Sequence, residues 1–193
     1  MSALLIGLVL FLGSHSVAIA FPAKREALVG RLGVLPYKGL IALVSLAGFV
    51  LLVWGYAQAR MEPVWLWSSP VWTRHLAALL MLPAMILLVA TYVPGTHIKA
   101  RVGHPMLLAT KFWALAHLFA NGTLADVLLF GGFLAWAVVA FIVHRRRDRA
   151  AGTQYPAVSV MRDAVAVTLG VVFYGAFAMK LHVLLMGVAP FGA

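Results

Sequence analysis

Six times along this 193-residue chain the sequence runs apolar for about 20 residues, the length an α-helix needs to cross roughly 30 Å of hydrocarbon. The runs fall at about 2–21, 37–57, 71–93, 104–121, 124–144 and 160–187. Hydrocarbon offers the backbone no hydrogen bonds, so only helices and closed barrels survive there, and none of these runs shows the strict alternation of a barrel strand. The fold class that follows is all-α: a polytopic transmembrane helix bundle of about six membrane-spanning helices, forming a single domain over 1–193. Composition agrees, since 64% of the residues are hydrophobic and 10% charged.

The breaks between runs have the expected chemistry. Val17-Ala18-Ile19-Ala20 resembles a signal-peptidase site, but no Lys or Arg precedes the first run, which reads as an uncleaved helix. Pro22, Lys24, Arg25 and Arg31 mark a basic helical connection at the interface. Trp65, Trp67 and Trp72 form an aromatic belt at the water boundary, and Pro83 predicts a kink in the third span. Thr123 and Asp126 have capping-box spacing at the start of the fifth span, and Arg145, Arg146, Arg147 and Arg149 stop it. Gly131-Gly132 and Gly170 with Gly175 predict close helix contacts.

The formal charge of +10 points to topology and not to nucleic acid, because the basic residues lie between apolar runs. Lys24, Arg25, Arg31, Lys38, Lys99, Arg101, Lys111, Arg145, Arg146, Arg147, Arg149 and Arg162 follow spans one, three and five or border them, twelve of fifteen Lys and Arg. By the positive-inside rule these face the cytoplasm, which puts both termini on the periplasmic side.

Candidate chemistry is confined to histidine. The absence of cysteine excludes disulfides, thiolate catalysis, iron–sulfur clusters and Cys-zinc sites. No paired carboxylates, no Ser-His-Asp set at membrane depth and no phosphate-cradling glycine loop are present, which leaves no hydrolytic machinery and no assignable catalytic residue. His15 and His117 alone lie well inside apolar runs, where an imidazole must be paired or liganded. If Lys24 and Lys111 both mark the cytoplasmic boundary, the two rings sit at similar depth; if the fourth helix enters at His104, they do not. At one depth they suit bis-His ligation of a haem iron, with Phe11 four residues before His15 and with Trp113 and Asn121 flanking His117 at minus and plus four. A polar clasp between helices remains equally open at this point.

The other histidines read as anchors or loop residues. His75 beside Arg74 and His182 beside Lys180 suit the outer ends of their spans, with a second metal site linking them as the sharper alternative. His97 and His104 fall in a basic connector and His144 in the basic stop. His104, Arg101 and Lys111 form a cluster able to hold propionates or a phosphate. Tyr174 and Lys180 are further candidates for a cavity lining.

The segment Gly103-His104-Pro105 through Trp113-Ala114-Leu115-Ala116-His117 to Asn121-Gly122, followed by Leu129-Phe130-Gly131-Gly132-Phe133, resembles the NnrU family of bacterial inner-membrane proteins. Gly13-Ser14-His15 fits as well, and the resemblance covers nearly the whole chain. It implies a multi-pass protein of the bacterial inner (cytoplasmic) membrane associated with denitrification, linked to expression or activity of nitrite and nitric oxide reductases. The family is similar in turn to 15-cis-zeta-carotene isomerase of plants and cyanobacteria, a membrane enzyme with haem b, whose histidine ligands would fall on His15 and His117. Ala114 stands where that isomerase has a cysteine.

The leading expectation is therefore a haem-b protein with His15 and His117 as metal ligands and a membrane redox partner. Haem-dependent cis-trans isomerisation of a lipid-soluble polyene substrate drawn from membrane lipid is the alternative. A membrane methyltransferase ranks lowest, because Gly103 replaces the arginine of the Arg-His-Pro step found in isoprenylcysteine methyltransferases and the later acidic pair is missing.

Overall fold

The computed structural model describes residues 1–191; Gly192 and Ala193, the end of a tail expected to be too short for a domain, lie outside them. The helices are α1 (Ser2–Ala20), α2 (Pro22–Leu32), α3 (Val34–Met61), α4 (Val71–Tyr92), α5 (His97–Val102), α6 (Pro105–Ala120), α7 (Leu124–Ala151), α8 (Val160–Ala176) and α9 (His182–Met186). A π-helical turn over Phe177–Leu181 joins the last two into one apolar run. There is no strand among the described residues beyond a single bridge between Trp65 and Thr123. The protein is a helical membrane protein: among the described residues, five helical runs are long and apolar enough to cross a bilayer. Large apolar side chains such as Leu35, Met179 and Leu184 stand about four-fifths exposed, an arrangement suited to lipid and costly in water.

The expected fourth span is the one that differs. Gly103 turns the chain with a positive φ of 74° and Asn121 ends the helix in an extended conformation, leaving α6 with 16 residues, or about 24 Å. The basic connector before it also holds a helix, α5. Asp163 anchors that helix by accepting the backbone N–H groups of His97 (3.2 Å) and Ile98 (3.1 Å), and Thr96 caps it. Pro83 lies inside α4 without interrupting it.

The chain divides into two compact units. The first comprises Met1–Trp67 and Thr123–Trp136, the second Ser68–Gly122 and residues from Ala137 onward.

In the first unit α1 and α3 run antiparallel with their backbones in contact. A Cβ on Gly7 would strike the Leu52 backbone, one on Gly48 the Phe11 backbone, and one on Gly55 the Leu4 backbone. Small residues at such crossings let dispersion and weak backbone contacts replace the hydrophobic drive that lipid removes. Asp126 completes the capping box foreseen in the sequence: it accepts Thr123 N (2.9 Å) and Thr123 Oγ1 (2.6 Å), and the Tyr56 hydroxyl donates to its other oxygen.

In the second unit α4 packs on α6 and α8. Gly170 brings α8 onto the α4 backbone at Ile86, as its sequence context predicts, whereas a Cβ on Gly131 or Gly175 would meet no atom of another described element within 4 Å. The glycines that set close packing in the first unit are those of α1 and α3.

Candidate functional site

In the second unit the α4–α6–α8 packing leaves a cavity of about 440 Å³. It exists because alanines face one another where larger residues would close the gap: Ala77 and Ala78 on α4, Ala116 and Ala120 on α6, and Ala178 in the π turn. Met81, Met85 and Phe177 complete apolar walls, and Arg74, Asn121, Tyr174, His117 and His182 supply the polar groups. A few converging polar groups in an apolar cavity of this size is the usual form of a small-molecule or cofactor site.

His117 lies in the last turn of α6. Its Nδ1–H donates to the Trp113 carbonyl at 2.8 Å, and the Trp113 indole lies against the ring at 5.3 Å. A carbonyl oxygen accepts only, so Nδ1 carries a proton, and Nε2 is the nitrogen that a neutral ring held this way would offer to a metal. Asn121 closes the helix end by donating its backbone N–H and Nδ2–H to the His117 carbonyl, both at 2.9 Å.

His182 reaches the same cavity. Its Nδ1–H donates to the Val188 carbonyl at 2.7 Å, and its ring plane lies 22° from that of His117 with 6.4 Å between centroids. The sequence grouped His182 with His75. The structure instead sets it beside His117 and turns the neighbouring Arg74 into the cavity, leaving His75 exposed and off the wall. Tyr174 lines the cavity as expected, and Lys180 does not.

His15 belongs to the first unit. Its Nδ1–H donates to the Phe11 carbonyl at 2.7 Å, the pinning to residue i−4 that His117 also shows, and its ring touches Phe11 (4.5 Å) and Trp136 (6.1 Å). The indole N–H of Trp136 is buried with no acceptor among the described residues, a cost of about 1–3 kcal/mol.

The remaining candidates collect elsewhere in the second unit. His104 is not the solvated loop residue its position implies: its Nε2–H donates to Asp148 at 2.7 Å. Tyr155 donates to the same carboxylate at 3.1 Å, and Arg145 stands 3.9 Å away. Burial pushes the Tyr155 hydroxyl pKa above its ordinary value, and the bond to Asp148 adds to the rise. Lys111 sits within α6 with Nζ 3.8 Å from the Phe141 ring. Arg101 is exposed, and neither it nor His104, Lys111 or Trp113 lines the His117 cavity. His97, also expected to be solvated, bonds Asp163 at 2.6 Å while remaining half exposed.

A family model described as NnrU protein matches residues 3–190. No curated protein and no solved structure matches the chain.

Proposed function

The chain belongs to the NnrU family, and from that premise we propose that it is a haem-b-binding protein of the bacterial inner membrane, serving the denitrification apparatus with iron held through His117. The observation that carries this reading is the His117 imidazole: Nδ1 committed to the Trp113 carbonyl and the ring on the wall of a largely apolar cavity.

The residues present suit the group. Methionine and alanine walls accept a porphyrin face, and the Arg74 guanidinium offers a propionate a charge-assisted partner. Trp113 shields the back of the His117 ring, while Asn121 locks the helix end that carries it. When bound, the haem would supply a one-electron ferric–ferrous couple tuned by its axial ligands and burial. The resemblance implies that His15 would also hold the iron, and its carbonyl-pinned ring is chemically able to serve. The apolar walls would also admit the substrate of the second reading, isomerisation of a lipid-soluble polyene.

The test is the absorption spectrum of the detergent-purified protein with and without dithionite. A Soret band that shifts on reduction and is lost in His117→Ala is the expected result; colourless protein that takes up no added haem refutes the reading. Turnover of a cis-polyene under reducing conditions would favour the isomerase over the accessory role.

A further inference from the structure

The end of the second unit where α6 begins holds another cavity, of about 310 Å³, which shares no wall residue with the His117 cavity. Lys99 of α5, His104 at the head of α6, His144 of α7 and Tyr155 supply its polar groups, and Met106 and Leu107 give it an apolar flank. That volume lies at the small end of the roughly 300–1,000 Å³ usual for ligand sites. Because α4 ends, α6 begins and the basic stop of α7 falls at this level, the cavity lies at the water boundary of the apolar runs.

Gly103 lets these elements converge. With φ at 74° it reverses the chain between α5 and α6, and a Cβ there would fall 2.7 Å from Arg145 Nη1. The Arg145 guanidinium thus lies over the turn and stands 3.9 Å from Asp148, which also accepts from His104 Nε2 and from the Tyr155 hydroxyl. Asp148 is engaged three times over.

Charge in the second unit is then left unbalanced. The chain has five side-chain carboxylates, and Glu26, Glu62 and Asp126 all belong to the first unit. Of the two in the second unit, Asp148 is engaged as described, and Asp163 is taken by His97 and the first N–H groups of α5. Among the described residues the Lys99 ammonium forms no ion pair. The His144 ring makes no hydrogen bond there either, only a contact with His104 at 5.1 Å between centroids. An ammonium and an imidazole with donors to spare, beside apolar side chains at the edge of the bilayer, are the parts with which basic pockets between membrane helices hold lipid phosphates.

We propose that this cavity binds a phosphate group, with Lys99 as its charged partner, His144 as a hydrogen-bond donor, and Met106 and Leu107 against the carbons attached to it. The site is independent of the haem reading. Of the three residues the sequence grouped for an anion, only His104 lines it, and that ring is spent on Asp148; Lys99 and His144 stand in for Arg101 and Lys111. An anionic lipid headgroup and free phosphate both bring this chemistry, and the apolar flank favours the lipid.

The test is thermal unfolding of the whole chain, purified in detergent and washed free of lipid, at fixed ionic strength. The probes are dioctanoyl phosphatidate, inorganic phosphate and dioctanoylglycerol, which lacks phosphate. Phosphatidate should raise Tm saturably, and Lys99→Gln and His144→Gln should each shift the midpoint of that rise to about ten-fold higher concentration. Lys38→Gln, which removes an exposed charge from the first unit, should not. Each midpoint is read against the variant's own ligand-free Tm, so a loss of stability does not register as a loss of binding. A lower midpoint for phosphatidate than for inorganic phosphate identifies the lipid as the source, and equal midpoints identify free phosphate; either upholds the site. No saturable rise with either, an equal rise with dioctanoylglycerol, a wild-type midpoint in Lys99→Gln, or an equal shift in Lys38→Gln overturns it. Should Lys99→Gln not accumulate, His144→Gln decides in its place.

Discussion

Replacing Asp126 by alanine removes the acceptor for three donors that close the first unit. Asp126 is 4% exposed and Thr123 8%, so the Thr123 N–H and hydroxyl have no water to turn to. Each buried donor left unmade costs about 1–3 kcal/mol, and the partly buried Tyr56 hydroxyl adds about 1 kcal/mol, giving a total of about 3–7 kcal/mol. At about 2–4 °C per kcal/mol for a chain of this length, Asp126→Ala should lower Tm by about 10 °C. Asp126→Asn keeps one acceptor oxygen and should lose about half as much. Tyr56→Phe removes one donor and should cost about 3 °C alone but little more when added to Asp126→Ala, because its partner is already gone. The assay is thermal unfolding of the purified protein in one fixed detergent, followed by circular dichroism. Asp126→Ala within about 2 °C of wild type, or full additivity with Tyr56→Phe, would refute the reasoning.

Gly131→Ala should be neutral or stabilising by about 0.5–1 kcal/mol, since a Cβ there meets nothing within 4 Å and the helix gains propensity. Gly170→Ala should cost about 2 kcal/mol or more, since its Cβ would fall 2.6 Å from the Ile86 Cα, and paired unfolding curves separate the two outcomes. Tyr155 has a folded-state pKa above its unfolded value, so the stability it contributes is complete below about pH 10 and is lost as pH rises through the folded value. Wild-type Tm should thus fall more steeply above pH 10 than that of Tyr155→Phe; parallel curves would exclude this linkage. Gly187→Ala forces a side chain into the left-handed region at about 1 kcal/mol, which should lower Tm by about 2–4 °C in the same unfolding assay; an unchanged Tm would exclude the strain.

Much of the architecture was legible because lipid imposes few options. Span limits followed from where apolar runs meet Pro, Gly or Arg, and the Thr123–Asp126 box followed from local spacing alone. The glycine contacts were legible only in part. Gly48 and Gly55, seven residues apart on one face of α3, carried a signal as clear as Gly131-Gly132, yet nothing in the chain says which small face finds a partner. The histidine grouping was misled by a similar ambiguity. His75 and Arg74 are adjacent, and about 100° of helix rotation separates the one that points away from the one that lines the cavity.

By itself, then, the sequence determined that the chain is helical and membrane-embedded, and that its candidate metal ligands are histidines, because hydrophobic run length and residue inventory act locally. Only the tertiary structure decided which imidazole meets which. A π turn at 177–181 and a left-handed Gly187 shift register by amounts that no 3.6-residue pattern records, and His182 arrives beside His117 through that shift. The space between them is likewise a product of packing, since alanines on three separate helices open a cavity only once Gly170 and Ile86 have fixed how close α4 and α8 come.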